Sequence, residues 1–169
     1  TNTTPLTNQI TTKADWLVTP INQKAQVTEE GDDITLNNGL VKRVFRITPN
    51  AACTDYTNLT NGQQLLRAVK PEAKIVLDGK EYNIGGLQGQ TENAYLLPEW
   101  LNKMKIGKED FELVNHHVTD IQPFLRWKAS TWMMTQPAAQ GKQLTLEFES
   151  PLSALKGLLV KVNYELYDG

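Results

Sequence analysis

Apolar and polar residues alternate most regularly towards the end of the chain. In residues 144–148 and again in residues 160–166, every second residue is apolar. Successive side chains of a β-strand point to opposite faces of the sheet, so this period of two places one face on a core and the other in water. Because such one-sided strands are typical of antiparallel sheets, both segments are predicted to be antiparallel strands.

Five further segments are predicted to be strands. They are rich in β-branched and aliphatic residues and bounded by turn residues, and they cover residues 33–36, 40–47, 74–77, 80–84 and 110–118. Asn37-Asn38-Gly39 and Asp78-Gly79 predict hairpin turns, because Asn, Asp and Gly tolerate positive φ. Residues 61–69 fit a helix or a strand, and strand is the preferred interpretation.

Helical signals are few. Residues 98–104 open with Pro98, carry an early acidic residue and end near Gly107, which predicts one or two helical turns. Long helices do not alternate with the strands, which disfavours a parallel α/β sheet. The predicted fold is therefore all-β and mostly antiparallel, a β-sandwich or partial supersandwich with one or two short helices. We expect one such domain over residues 16–169, after a flexible N-terminal segment over residues 1–15.

The composition is that of an ordinary globular domain. Of the 169 residues, 40% are hydrophobic and 21% are charged, so a core can be stable by burial alone. The formal net charge is −2. Such a balance does not build the basic face that phosphate neutralisation requires, so no nucleic acid is expected as a partner. No apolar run approaches the ~20 residues of a membrane span, so no membrane span is expected.

Cysteine, histidine and glycine give weak signals for chemistry. The single cysteine, Cys53, cannot form an internal disulfide, and a buried structural thiol is favoured over a nucleophile. His116 and His117 are adjacent on a predicted strand and point to opposite faces, so they cannot share a metal ion there. The glycine-rich segment 85–90 lacks the G-x-G-x-x-G spacing, and we predict a tight loop in which backbone passes close to backbone.

Acidic residues do not single out a catalytic pair. Glycoside hydrolysis needs two carboxylates roughly 5 to 9.5 Å apart. Several acids lie in or beside predicted loops, namely Glu72, Asp78, Glu81, Glu99, Asp120 and Asp168. With 19 acidic residues in the chain, some pair is always available, and none stands out. We therefore predict no catalytic residue, and we expect no metal site and no cofactor.

Aromatic residues in the middle of the chain are the candidate contact residues. Trp100, Trp127 and Trp132 lie there, with Arg126 and Tyr95 nearby. Flat indole faces suit the apolar faces of sugar rings, and Arg and Trp also favour protein interfaces. A role in filling the core is the preferred interpretation, ahead of an interdomain contact and of direct sugar contact.

Several sequence stretches occur in a familiar order. They are LNNGLVKRVFR (36–46), PNAA (49–52), NLTNG (58–62), RAVKPEA (67–73), DGKEY (78–82), GGLQGQ (85–90), LPEWL (97–101) and VNYELYDG (162–169). Together these stretches, spread over roughly residues 16–169, resemble the N-terminal region of large bacterial α-galactosidase-type glycoside hydrolases.

The resemblance implies a fold and a partner. In such enzymes an N-terminal β-supersandwich, similar to the galactose mutarotase fold, precedes a (β/α)₈ barrel. The barrel carries both catalytic aspartates of a retaining mechanism. By this analogy the chain is the sandwich or part of it, its partner is the catalytic barrel of the parent chain, and no catalytic residue can be carried over.

The two ends of the chain suggest further expectations. Thr1 is followed by a polar Thr/Asn stretch, which looks like a trimmed mature N-terminus, although an arbitrary boundary is an equal alternative. We expect an extracytoplasmic protein, periplasmic or secreted. In the related enzymes more strands follow the stretch that ends here at Gly169, so a fragment of a longer multidomain protein is expected. An exposed strand edge at that point would favour pairing with another copy.

Three functions follow as hypotheses. The leading one is a non-catalytic N-terminal sandwich domain of an extracytoplasmic carbohydrate-active enzyme, which braces or walls a catalytic barrel. The second is an autonomous carbohydrate-binding module that uses exposed tryptophans. The third is mutarotase-like sugar epimerisation, for which His116 or His117 would supply the base.

Overall fold

Antiparallel strands dominate the fold. The computed structural model describes residues 22–91, 94–122 and 140–169. In chain order the strands are β1 (Gln26–Glu30), β2 (Asp33–Asn37), β3 (Val41–Arg46), β4 (Ala52–Asn58), β5 (Gln63–Gln64), β6 (Ala73–Leu77), β7 (Lys80–Ile84), β8 (Glu112–Asp120), β9 (Gly141–Glu149) and β10 (Leu159–Tyr167). The prediction of an all-β, mostly antiparallel fold is confirmed. The segment 1–15, predicted to be flexible, lies outside the described residues.

The helical elements are short. Helix α1 (Pro98–Leu101) is a single turn that begins at a proline, and a 3₁₀ turn covers Ser153–Leu155. Both agree with the prediction of one or two short helices. In the described ranges, no helix has the length and apolar character needed to cross a membrane.

The strands form three antiparallel sheets. One sheet has the order β1-β2-β3-β4-β5, a second has the order β10-β9-β8, and β6 pairs with β7. Both predicted hairpin turns are present. Gly39 between β2 and β3 has φ 84°, and Asp78 and Gly79 between β6 and β7 have φ 50° and 80°. Positive φ at both central residues matches the right-handed twist of the strands that the turn connects.

The two larger sheets enclose the main core. Ile34 and Phe45 from the five-stranded sheet and Leu144, Leu146 and Phe148 from β9 are completely buried in one apolar cluster. The apolar residues predicted to alternate in β9 are thus the ones that face inward. In β10 the alternation persists, with half-buried and exposed residues following one another along the whole strand.

Asn50 joins the layers through polar contacts. Its side chain is completely buried, and its Oδ1 accepts hydrogen bonds from the backbone N–H groups of Ala51 (2.9 Å) and Leu113 (2.8 Å). Its Nδ2 donates to the carbonyl of Phe111 at 3.1 Å. Buried backbone groups need hydrogen-bond partners, and this one side chain supplies them at the start of both β4 and β8.

The glycine-rich segment is the tight loop that the sequence predicted. Gly85 and Gly86 have φ 65° and 85°. A Cβ on Gly85 would lie 2.8 Å from the carbonyl oxygen of Ala51, and one on Gly86 would lie 2.8 Å from the Cα of Pro71. Only glycine leaves room for backbone on both sides, so the loop is fixed against β4 and the segment before β6.

The preference for a strand over residues 61–69 is wrong for most of that segment. Only Gln63–Gln64 is extended, as β5. The Asn61 side chain accepts from the N–H of Gln63, and the Gln64 side chain accepts from the N–H of Leu66. Local side-chain acceptors therefore take N–H groups that a continuing strand would use, and the chain turns instead.

Candidate functional site

A polar cluster lies between the two larger sheets, at one border of the core. It consists of Arg43 on β3, Cys53 on β4, Glu72 before β6 and Tyr164 on β10, and we call it the Arg43 cluster. These four residues come from separate elements. Their side chains contact one another, the Cys53 N–H also takes part, and these contacts connect the sheets. Arg43 and Phe45 are two residues apart and therefore share one face of β3, the face that points to the core.

Glu72 supplies the buried carboxyl group of the Arg43 cluster. Its side chain is 3% exposed and lies 3.7 Å from Arg43 Nη2. Oε1 accepts the Cys53 N–H at 2.6 Å, and Oε2 accepts the hydroxyl of Tyr164. Burial raises the pKa of Glu72 above its usual range, although the hydrogen bonds from Tyr164 and Cys53 and the charge of Arg43 act in the opposite direction.

Arg43 lies against three aromatic rings. Its guanidinium carbon is 4.7 Å from the ring centre of Tyr164, 4.9 Å from that of Phe45 and 5.4 Å from that of Tyr56. Its Nε donates to the Cys53 sulfur at 3.2 Å. A guanidinium over ring faces is stabilised by cation–π attraction, which is stronger where water is excluded. The side chain keeps one-third of its surface exposed, so the cluster reaches the surface through Arg43.

The thiol and the phenol of the Arg43 cluster stay protonated near neutral pH. Burial raises the pKa of Cys53 despite the neighbouring guanidinium, and burial together with Glu72 raises the pKa of Tyr164 far above its usual range. Cys53 is buried, as expected for a structural thiol. A protonated, buried thiol is a poor nucleophile. The cluster is therefore suited to holding the sheets together through hydrogen bonds and ring contacts.

A cleft of about 560 Å³ opens on the surface next to the glycine-rich loop. Its lining residues come from the segment before β6 and from the segment before α1, and they are Arg67, Ala68, Val69, Lys70, Gln90, Thr91, Ala94 and Tyr95. We call it the Tyr95 cleft. Its volume falls in the range of about 300–1,000 Å³ that is usual for small-molecule sites.

One amide side chain holds the walls of the Tyr95 cleft together. Gln90 Oε1 accepts the Val69 N–H at 2.9 Å, while its Nε2 donates to the carbonyls of Arg67 (3.2 Å) and Ala94 (3.0 Å). Glutamine can satisfy two acceptors and a donor at once, which is what this position requires. The cleft therefore has a fixed frame on both sides.

The Tyr95 cleft combines a flat ring with polar groups. Tyr95 is 67% exposed, and Arg67 donates to its hydroxyl while the guanidinium carbon lies 4.9 Å from the ring centre. Lys70 and Thr91 add polar groups to the lining of the cleft. An aromatic face beside several hydrogen-bonding groups suits a ligand that has both apolar faces and hydroxyls.

The predicted contact residues are only partly described. Trp100 lies on α1 and is half-buried, while its neighbour Leu101 is buried in a second, smaller apolar cluster with Ala52, Val69, Leu87 and Met104. Trp127, Trp132 and Arg126 lie outside the described residues. Tyr95 was named from the sequence only as a neighbour of these tryptophans, and it is the aromatic residue that lines the described cleft.

The histidines and acids of the described ranges form at most pairs. His116 on β8 lies 3.2 Å from Glu29 of β1, through its Nε2, and His117 follows on the same strand. In residues 22–91, 94–122 and 140–169, no group of three or more His, Cys, Asp or Glu side chains could hold a metal ion. Glu81 and Asp120 form surface ion pairs with lysines. Of the six acids considered, Glu72 is the one that enters the Arg43 cluster.

The Arg43 cluster is a feature that sequence reasoning missed. The available signal was a charged residue, Arg43, at a position of β3 that shares its face with Phe45. A charged residue on a core-facing position usually has a buried partner, but the partner Glu72 lies in a loop and cannot be assigned from strand periodicity.

Comparisons with protein families, curated proteins and solved structures find no match to this chain.

Proposed function

We propose that the chain is a non-catalytic β-sandwich domain of an extracytoplasmic carbohydrate-active enzyme, where it braces or walls a catalytic barrel that this chain does not contain. The proposal combines the resemblance to the N-terminal region of α-galactosidase-type glycoside hydrolases with the antiparallel sandwich. The observation that carries it is the Arg43 cluster. Its carboxyl and thiol groups are buried, and they make their contacts within the domain.

The contacts of Glu72 support bracing over catalysis. A general acid or a nucleophilic carboxylate must present an oxygen to substrate, at hydrogen-bond distance. Both Glu72 oxygens already accept hydrogen bonds, from Cys53 and Tyr164, and the side chain is 3% exposed. The same contacts tie the segment before β6 to β4 and to β10, which is how a rigid wall for a neighbouring domain is held in shape.

Hydrolysis of an aryl α-galactoside tests the proposal on this chain. We expect neither the purified protein nor its Glu72→Gln variant to release aryl alcohol above the uncatalysed rate, because neither oxygen of the Glu72 carboxyl group is free to act. Enzyme-like turnover by the wild-type chain would contradict the proposal, and its loss in Glu72→Gln would assign the activity to Glu72. The reading frame downstream of Gly169 gives an independent test, since a barrel requires about 250 further residues.

A carbohydrate-binding module is the second candidate, and the Tyr95 cleft is the observation that favours it. We expect calorimetry against a panel of galactose-containing oligosaccharides to show binding that Tyr95→Ala weakens about tenfold, which corresponds to about 1.4 kcal/mol. Trp100→Ala serves as the matched control, because Trp100 lies on α1 and does not line this cleft.

The outcomes separate the candidate contact residues. If Trp100→Ala weakened oligosaccharide binding and Tyr95→Ala did not, the sugar contact would be assigned to Trp100, as the sequence indicated. If no oligosaccharide of the panel gave a heat of binding, the binding-module hypothesis would be wrong, and the bracing domain would be the remaining candidate.

A further inference from the structure

Strand β10 is an edge strand in the described part of the chain. The sheet order β10-β9-β8 gives it a neighbour on one side only among the described strands. It is nine residues long, Leu159–Tyr167. A strand edge of this length presents a row of backbone donors and acceptors, which is a template for another strand.

The odd-numbered residues of β10 direct their backbone groups to the open side. The N–H of Asp168 donates to the carbonyl of Gln140 at 2.9 Å, towards β9. Backbone groups alternate in direction along an antiparallel strand, so those of Tyr167 point away from β9. In agreement, the Tyr167 carbonyl accepts from Asn38 Nδ2 at 2.9 Å, so the outward carbonyl at this end of the strand already has one partner within the chain. The remaining outward residues are Leu159, Lys161, Asn163 and Glu165.

The outward residues of β10 are complementary to those of a second, antiparallel copy of the strand. If Asn163 of one copy lies opposite Asn163 of the other, Lys161 of each copy lies opposite Glu165 of the other. Leu159 of each copy then lies opposite Tyr167 of the other. All four of these side chains are on the exposed face, with Leu159 41% and Tyr167 45% exposed. Opposite charges and apolar pairs at directly opposed positions both stabilise antiparallel strands.

The charges also select one register. The arrangement that opposes Lys161 and Glu165 is the one in which the two strands overlap over their whole length. A displacement by two residues places Lys161 opposite Asn163 or opposite Tyr167 instead. Full overlap and charge pairing therefore favour the same alignment.

We propose that β10 pairs antiparallel with β10 of a second copy of this chain, in the register centred on Asn163. The two three-stranded sheets then form one continuous sheet across a two-fold axis, and each copy contributes the same surface. The inward-facing residues of β10 are only partly buried, and a neighbouring strand would add cover to them. The inference does not depend on the proposed function.

Charge reversal with complementation tests the pairing. Sedimentation equilibrium of the wild-type chain should show a dimer that dissociates on dilution. Lys161→Glu and Glu165→Lys should each weaken the dimer about tenfold or more, because each turns two attractive pairs into two repulsive ones. An equimolar mixture of the two variants should recover the wild-type dissociation constant, since every cross-strand pair then joins opposite charges.

The mixture also controls for effects inside one copy. Lys161 pairs with Glu147 at 2.6 Å, so Lys161→Glu can disturb its own sheet, and circular dichroism of each variant checks the fold. Lys74→Glu is the matched control, because Lys74 forms a similar exposed pair with Glu81 at 2.6 Å on the β6–β7 hairpin. It should leave the dimer unchanged.

Three results would overturn the pairing. The first is a wild-type chain that stays monomeric at every concentration, and the second is a mixture that associates no better than its components. The third comes from hydrogen exchange of the wild-type chain. Protection of the Lys161, Asn163 and Glu165 amides that does not change on dilution would mean that another part of the same chain covers the edge.

Discussion

Replacement of Glu72 by alanine is expected to lower the free energy of unfolding by about 3 kcal/mol. The Cys53 N–H and the Tyr164 hydroxyl each lose a buried acceptor, and an unsatisfied buried donor costs about 1–3 kcal/mol. Arg43 loses the nearby carboxyl group as well, and removal of one partner of a fully buried ion pair costs about 3–5 kcal/mol. Because one-third of Arg43 is exposed, water replaces part of that loss. Urea denaturation measures the difference.

Glu81→Ala is the matched control for this prediction. Glu81 is also a glutamate paired with a cation, but its side chain is 56% exposed, and exposed pairs contribute about 0–1 kcal/mol. Equal losses from the two variants would contradict the role of Glu72 as a brace. So would a Glu72→Ala protein as stable as the wild type.

The stability difference should also depend on pH. Burial raises the pKa of Glu72 in the folded state above its ordinary value of 4.5. A carboxyl group with a raised folded pKa contributes stability that is fully present below the unfolded pKa and is lost as the pH rises through the folded pKa. The destabilisation caused by Glu72→Ala should therefore be smaller at pH 8 than at pH 4. Denaturation curves at both values test the sign.

Replacement of Asn50 by alanine should destabilise the domain to a similar extent, by about 3 kcal/mol. The N–H groups of Ala51 and Leu113 lose their acceptor inside the core, at about 1–3 kcal/mol each. The Phe111 carbonyl keeps one donor, the Gly85 N–H at 3.0 Å, which limits the loss there. Thermal and urea unfolding should both show the change.

Two companion variants sharpen the Asn50 prediction. Asn102→Ala removes an exposed amide that accepts from Arg46 at 2.9 Å, and its effect should stay within about 0.5 kcal/mol. Asn50→Asp keeps the acceptor for Ala51 and Leu113 but loses the donor to Phe111 and buries a charge, so it should not restore stability. Full stability in Asn50→Asp would show that the donated bond contributes nothing.

The sheets could be predicted from the sequence because their signals are local. The alternation in β9 and β10 and the Asp78-Gly79 turn each depend on neighbouring residues, and all three appear in the structure. The glycine-rich loop was also predicted, since its spacing excluded a phosphate site and favoured close backbone contact. The strand predicted over residues 61–69 was wrong outside Gln63–Gln64, because side chains of Asn61 and Gln64 accept from N–H groups that a longer strand would use.

The candidate sites could not be predicted in the same way. Arg43 and Tyr164 are far apart in the sequence and meet only because β3 and β10 face each other across the core. The Tyr95 cleft likewise depends on Gln90, which bonds to backbone groups on two separate segments. Side-chain periodicity gives the face on which a residue lies, but it does not give the partner on the opposite layer.

The bonds of Gln90 have a consequence for how the Tyr95 cleft can change during evolution. Its frame depends on one amide and on main-chain atoms, and main-chain atoms are the same whatever side chains the cleft presents. Substitutions at Lys70 or Thr91 can therefore alter the shape and polarity of the cleft without disturbing its frame. The surface of the cleft could therefore diversify at these positions, while Gln90 would be the last residue of the cleft to vary.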